Sequence, residues 1–278
     1  MEYLRILLRN RKAMVGVIII LLFFVMALFA RYIAPYSPTD MSFQQVEPAS
    51  AKHLLGTTAT GQDIFSRIIW GARQTLLVGL LSGLFVTLFS TIVGVVAGYL
   101  GGIVDEILMF LTNVFLIMPG LPLMIILSAY IQVKGMWTII LVITVTGWAW
   151  GARVIRPQVM SLKSRDFVKA SVVVGERPLH IILADILPNV VGLIIAQFFA
   201  ASVYGVLSEA GLEFLGLGNV NAISWGTVLY WAENDQAVLF GLWSWLLVPG
   251  LLIALFGGAL AMMNFAVDEI ANPRLRKR

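Results

Sequence analysis

The chain has 278 residues, 59% of them hydrophobic and 12% charged, with a net charge of +4 and no cysteine. Soluble domains carry about a quarter charged residues and fewer than half apolar ones, so a soluble globular fold is excluded. Disulfides, thiolate metal sites and cysteine nucleophiles are excluded too, and the charge is too small and scattered to serve nucleic acid.

A helix crosses the hydrocarbon core of a bilayer with about 20 apolar residues. Six charge-free runs approach or exceed that length: 13–30, 74–104, 107–133, 135–152, 186–208 and 236–267. The expected fold is an all-α integral membrane bundle of six transmembrane helices in contact with lipid. The first run follows Arg9-Asn10-Arg11-Lys12, which resembles the head of a signal peptide. No small-residue cleavage site follows it, only Arg31 and Tyr32, so a retained helix is expected. Lysine and arginine cluster at 5–12, 153–177 and 274–278. That places both termini in the cytoplasm of a multi-pass cell (inner) membrane protein. Between runs five and six stand Glu209, Glu213, Glu233 and Asp235 with no basic residue, as an outer segment should read. Arg31, Lys52, Arg67 and Arg73 in the first outer segment run against the rule.

That segment opens with Pro35 and Pro38 and reads as an irregular loop. Beyond Thr60, Ile64, Phe65, Ile68, Ile69 and Ala72 form one helical stripe, with Gln62, Asp63, Ser66, Arg67 and Arg73 opposite. Asp63 and Arg67 have the i, i+4 spacing of a helical ion pair. A short amphipathic helix is expected, either in the outer headgroup region or packed on the bundle. The chain then divides into 1–73, an N-terminal helix and outer loop ending in this short helix, and 74–278, the membrane core.

In the second run Gly79 and Gly83, then Gly94, Gly98 and Gly102, recur every four residues. Such spacing lets two helices approach closely, within the chain or between subunits. The third run is interrupted by Pro119-Gly120 and Pro122. Breaks at membrane depth are tolerated where neighbours or a water-lined cavity satisfy the freed backbone groups. A translocation path is expected here, with Asn113, Met118 and Pro119, and Ser208 and Glu209 from the end of run five, as candidate lining.

The connection 153–185 is patterned rather than slack. Ser164 is placed to cap a helix with Asp166 in its first turn, where the dipole favours an acid. Phe167, Ala170, Ser171 and Val174 share a face, and Gly175 stands where a left-handed C-cap is needed. Pro178 suits the first turn of a second helix, whose apolar stripe is Leu179, Ile182, Leu183 and Ile186. A helix, a glycine hinge and a second helix make a docking element for another protein.

Enzyme chemistry is missing. No lysine follows a glycine, so no phosphate-binding Gly-Lys-Ser/Thr loop exists, and there is neither a His-Glu-x-x-His site nor a Gly-x-Ser-x-Gly elbow. His53 and His180 read as separate surface residues. No acid lies deep in a run; Asp185 and Glu209 stand at the ends of the fifth, which disfavours an ion-driven carrier. Energy for uphill transport would come from a partner.

The stretch 166–171, then Gly175, then Ile186-Leu187-Pro188-Asn189, resembles the "EAA" loop of ABC importer permeases, with Lys169 in place of the motif's glutamate and Ser171 in place of its second alanine. Gly56-Thr57-Thr58, Gly61-Gln62-Asp63, Ser66-Arg67 and Gly71-Ala72-Arg73 narrow the resemblance. So do the run 209–218, Ser224-Trp225-Gly226, Asp268-Glu269 and Asn272-Pro273-Arg274-Leu275. Together they are similar to the second permease subunit of dipeptide and oligopeptide importers, a family that also moves nickel and oligosaccharides. The resemblance implies a type I ABC importer permease with a cytoplasmic coupling-helix loop between membrane helices 4 and 5. Its coupling residues would be Asp166, Phe167, Lys169, Ala170, Ser171, Gly175, Leu187 and Pro188. It further implies a heterodimer with a related permease subunit, two ATPase subunits that bind ATP and Mg, and an extracytoplasmic solute-binding protein. This chain would bind no cofactor itself. Lys169, lacking the glutamate's charge, would meet an acid or point to solvent. Peptides are the expected cargo. Oligosaccharides are the alternative, with Trp225, Tyr230, Trp231 and Trp243 to Trp245 offered for sugar stacking. A stand-alone channel or secondary carrier is the alternative of another class.

Overall fold

Inside a bilayer the backbone has no water to bond, so each apolar run closes its own hydrogen bonds as a helix. The computed structural model describes the backbone of residues 11–271 and side chains as far as residue 264. Among the described residues there is no strand. Besides a single helical turn at Ala30–Ile33, the helices are α1 (Arg11–Leu28), α2 (Ile64–Leu100), α3 (Gly102–Ile117), α4 (Gly120–Tyr130), α5 (Met136–Lys163), α6 (Asp166–Val174), α7 (Pro178–Phe214), α8 (Trp225–Asn234) and α9 (Trp243–Ala271). The basic residues of 1–10 and 274–278 and the motif at 272–275 lie outside the described residues, as do the side chains of Asp268 and Glu269.

Helices α1, α2, α5, α7 and α9 are each long and apolar enough to cross a membrane; α3 and α4 qualify only together, bent by 93°. The third run is therefore a broken span and not one straight helix. Met118 and Pro119 adopt extended backbone between the two pieces, because Pro119 has no N–H to continue the ladder and disfavours helix in the residue before it.

Helix α2 lies at the centre, packed on α5 and α7, while α1 leans on α9. The expected short helix at the end of 1–73 does not exist as a separate element: α2 runs unbroken from Ile64. Nothing between Arg73 and Gln74 breaks a helix, and both polar side chains find partners. Arg73 Nε and Nη2 donate to the carbonyls of Ala27 and Leu28 at 2.6 and 3.1 Å, closing the end of α1. At 37 residues α2 is about 55 Å long, beyond the roughly 30 Å of hydrocarbon, so its first turns project.

The segment 34–63 folds over those projecting turns and buries their polar side. Asp63 is the N-cap, accepting from the Ser66 N–H at 2.8 Å and the Ser66 hydroxyl at 2.6 Å. It does not pair with Arg67, which turns to the Gln62 side-chain oxygen. His53 is fully buried and not a surface residue. Its Nδ1 lies 2.9 Å from Asp63 Oδ1, and the rings of Tyr36 and Phe43 pack on it. His180 is exposed.

The glycine spacing serves packing within the chain. A Cβ on Gly79 would lie 2.2 Å from Val206 Cγ2, and one on Gly83 2.8 Å from the Ser202 backbone, so α2 and α7 meet almost backbone to backbone. Gly94 and Gly98 likewise receive Ile155 and Val159 of α5. Gly102 stands outside this series, at φ +55 in the turn into α3 with open space around it.

Candidate functional site

One end of the bundle carries α6. Its N-cap is Arg165, without a side-chain bond, and Ser164 instead donates to Ser161 O at the end of α5. The expected Ser164 cap fails because α5 runs on to Lys163 and leaves Ser164 in its own last turn. The C-terminus is as read from the sequence. Gly175 sits at φ +87, ψ 22, its N–H bonded to Val172 O at 3.1 Å and the Glu176 N–H to Ser171 O at 3.0 Å. This double bond fixes the angle at which α6 leaves.

Helix α6 is held by one fully buried side chain, Val168, in a cluster with Tyr99 of α2, Ile155 and Val159 of α5, and Ile181 and Ile186 of α7. Burying a valine contributes about 1.5–3 kcal/mol. Much of the rest of α6 is left uncovered by the described residues: Val173 and Val174 are 86% and 81% exposed, Phe167 46%, and Ala170 is exposed too. Lys169 faces solvent with its Nζ 4.0 Å from Asp166 Oδ1, itself exposed. Beneath α6 the first turns of α7 are a π-helix over Ile181–Ile186, in which the Leu187 N–H reaches Ile182 O. Pro188 explains the slip, since its missing N–H leaves the normal ladder one bond short at that point. Of the predicted stripe, Ile186 is buried and Ile182 half-buried, while Leu179 and Leu183 are exposed; Ile181 takes their place in the core.

Next to α6, Arg156 of α5 makes a two-pronged ion pair with Asp105 of α3, both bonds 2.5 Å. It ties the broken span to α5.

Midway along the bundle, two cavities of about 270 and 240 Å³ meet at Gly120 and Tyr204. Met118 lines the first and Ser208 the second. Of the remaining candidates, Pro119 is exposed at the break itself and Asn113 is exposed on α3 without lining either cavity. The groove also holds Gln197 and Tyr204, which the sequence reading passed over. Gln197 carried a signal, as an amide in the middle of the fifth run.

Glu209 is not in the groove. With Glu213 it is buried on the opposite side of α7, which continues past both residues to Phe214, so neither acid marks a helix end in water. Thr75 of α2 donates to Glu209 at 3.4 Å, and Gln74 donates to Glu213 at 2.8 Å. The Ser224 hydroxyl, the N-cap of α8, also donates to Glu213. The Trp225 backbone N–H reaches Thr75 Oγ1 at 3.1 Å and its Nε1–H reaches Ile68 O at 2.9 Å. These acids fasten α8 across the ends of α2 and α7.

The family model described as "Binding-protein-dependent transport system inner membrane component" matches residues 90–277. The chain belongs to this family. A second model, the "N-terminal TM domain of oligopeptide transport permease C", matches residues 2–52 of the permease. The permease is 37% identical to the dipeptide transport system permease protein of Bacillus subtilis (strain 168), over 97% of this chain and 84% of that one. It is 35% identical to the dipeptide permease protein of Escherichia coli (strain K12), over 97% and 91%. To the oligopeptide permease protein of Bacillus subtilis it is 33% identical, over 96% and 87%. Its fold is shared with a chain of the inward-facing MetNI methionine ABC transporter, with a TM-score of 0.57, 19% identity, and 77% and 98% coverage. A binding-protein-dependent component works within a larger system, so the stand-alone channel or carrier is set aside.

Proposed function

We propose that this chain is half of the membrane pathway of an ATP-driven bacterial importer of short peptides, and that α6 couples it to an ATPase. The face of α6 supports the coupling role. Phe167, Val173 and Val174 form an apolar surface that no described residue covers, in a stretch of sequence that carries Arg153, Lys163, Arg165, Lys169 and Arg177. Apolar exposure of this kind marks a protein contact, and the basic residues support a cytoplasmic position for that contact and for both termini. The remaining partners are a related permease completing a heterodimer, a pair of ATPases carrying ATP and Mg, and a solute-binding protein outside. The MetNI-like fold and the peptide permeases among the relatives support the machine and its cargo. In this reading the groove around Gly120 and Tyr204, with Met118 and Ser208, is this subunit's wall of the path. Asn113 and Pro119 face the partner permease, and Glu209 serves structure. Oligosaccharide stacking is less well served: Trp225 is fully buried in the core, its ring N–H held by Ile68 O.

Reconstitution with the partner permease, ATPases and binding protein tests the reading. ATP-driven uptake of labelled dialanine is expected, with no ATP hydrolysis by this chain alone; uptake of oligosaccharide but not dipeptide would overturn the cargo. Orientation is testable without background, because the chain has no native cysteine. A Val173→Cys variant should react with an impermeant maleimide only from the cytoplasmic side, and Asn219→Cys only from outside. Labelling of both from one side would overturn the topology.

A further inference from the structure

At the end of the bundle opposite α6 lies a cavity of about 380 Å³, within the range of small-molecule sites. It is walled by the outer segment, α2, α8 and α9, which contribute Gln62, Arg67, Trp231, Asp235 and Trp245 among others. Arg67 is 6% exposed. Its guanidinium offers five N–H donors; one is given to Gln62, and its Nε is buried without a partner. Trp245 Nε1 is a second buried donor with no acceptor. A guanidinium removed from water without a carboxylate is costly, and Asp235 on the same cavity does not make ion-pair contact with it. The two charges nevertheless influence each other. Burial pushes the Asp235 carboxyl up from the ordinary aspartate value, while the Arg67 charge pulls it down. Asp235, at the end of α8, uses its side chain in no hydrogen bond to the described residues. The cavity thus presents a buried cation short of acceptors, a half-buried anion that pairs with none of the described side chains, and two indole walls.

We propose that this cavity binds the zwitterionic form of a short peptide. Arg67 takes the terminal carboxylate, for which its fork is shaped, Asp235 takes the terminal ammonium, and Trp231 and Trp245 wall the apolar remainder. Solute released outside is thereby held on this subunit before it reaches the groove. The inference deepens the peptide-import reading and rests on it. The same carboxylate chemistry is available from an acidic side chain of the docking solute-binding protein, and the test separates the two sources.

The assembled importer, in lipid nanodiscs and without its solute-binding protein, is titrated with Ala-Ala, N-acetyl-Ala-Ala and Ala-Ala amide. Ala-Ala should bind, and each blocked form should bind at least about tenfold more weakly, since each removes one partner of a charge pair. Asp235→Asn should weaken Ala-Ala by a similar factor and leave N-acetyl-Ala-Ala unchanged, because that peptide has no ammonium to lose. Arg67→Lys keeps the charge but not the fork and should weaken Ala-Ala while leaving Ala-Ala amide unchanged. Absence of Ala-Ala binding overturns the proposal, as does binding indifferent to blocking and to Asp235→Asn. Weaker docking of the solute-binding protein to either variant, with no Ala-Ala binding in the parent, assigns the carboxylate to that protein and also overturns it. Failure of the peptide-import reading shows elsewhere, as absent ATP-driven dipeptide uptake by the complete system. Uptake that persists without Ala-Ala binding sinks the cavity alone.

Discussion

Ala170→Asp is expected to abolish ATP-driven uptake while the protein reaches the membrane at its normal level. Ala170 is exposed on α6, next to Phe167 and Val174 and away from the Val168 anchor, so the substitution disturbs nothing inside this chain. Under the proposed coupling that face becomes a packed contact in the assembled importer, and an unpaired carboxylate there costs about 3–5 kcal/mol. Such a cost lowers affinity a hundredfold or more. Gly175 separates contact from geometry. Open space surrounds the position of its Cβ, so a side chain there meets no obstacle and any penalty comes from the backbone at φ +87. Valine is strained by about 1 kcal/mol or more in that region, and its branching crowds the turn further. Asparagine visits the region readily. Gly175→Val should therefore lose solute-stimulated ATP hydrolysis while Gly175→Asn keeps most of it. Full uptake by a well-expressed Ala170→Asp protein would show that this face docks nothing.

The second large effect is on stability. Gly83→Ala would bring a methyl to 2.8 Å from the backbone of Ser202, and a backbone cannot step aside as a side chain can. Helices α2 and α7 must separate, at about 1–3 kcal/mol, which is read as a lower midpoint of thermal unfolding in detergent. Gly79→Ala differs in a way that can be checked. Its close neighbour is the Val206 methyl at 2.2 Å, with the Val206 backbone 3.4 Å away. Adding Val206→Ala should partly restore Gly79→Ala, whereas Ser202→Gly should not restore Gly83→Ala. Gly250→Ala, with nothing within 4 Å, is the control and should be neutral. Equal unfolding midpoints for Gly83→Ala and Gly250→Ala would remove the close α2–α7 contact from the account.

What could be read in the sequence was local. Apolar run length located the crossing helices, Pro119-Gly120 located the break, and Gly175 announced its own left-handed turn, because each signal acts within a few residues. Several of the errors involve partners far along the chain. Gln74 looked like the start of a membrane helix because its acceptor, Glu213, is 139 residues away. Trp225 looked like a surface aromatic because the carbonyl that satisfies it belongs to Ile68, 157 residues earlier. His53 passed for a surface residue until the segment around it was seen to close over the first turns of α2. Asp63 and Arg67 had the right spacing for an ion pair, but Asp63 was taken by Ser66 and His53. In the candidate site the short helix before Gly175 and its left-handed turn were legible, and the groove only half so. Ser208 and Glu209 are adjacent in sequence, yet helical rotation turns one to the cavity and the other into the core.

Helix α7 reaches from Pro178 beneath α6 to Phe214 beside the α8 fastening, about 55 Å, and past the π-helical turn at Ile181–Ile186 its α-helical stretch Leu187–Phe214 spans the bundle as one lever. A rod of that length pivoting at its middle moves each tip by about half an ångström per degree of tilt, in opposite directions. A push of about 2 Å delivered through α6 is thus a tilt of roughly 4°. The same tilt carries Glu209, Glu213 and the Ser224 end of α8 the other way. Under the proposed coupling, closing one mouth of the bundle and loosening the cover of the other are a single motion of one helix.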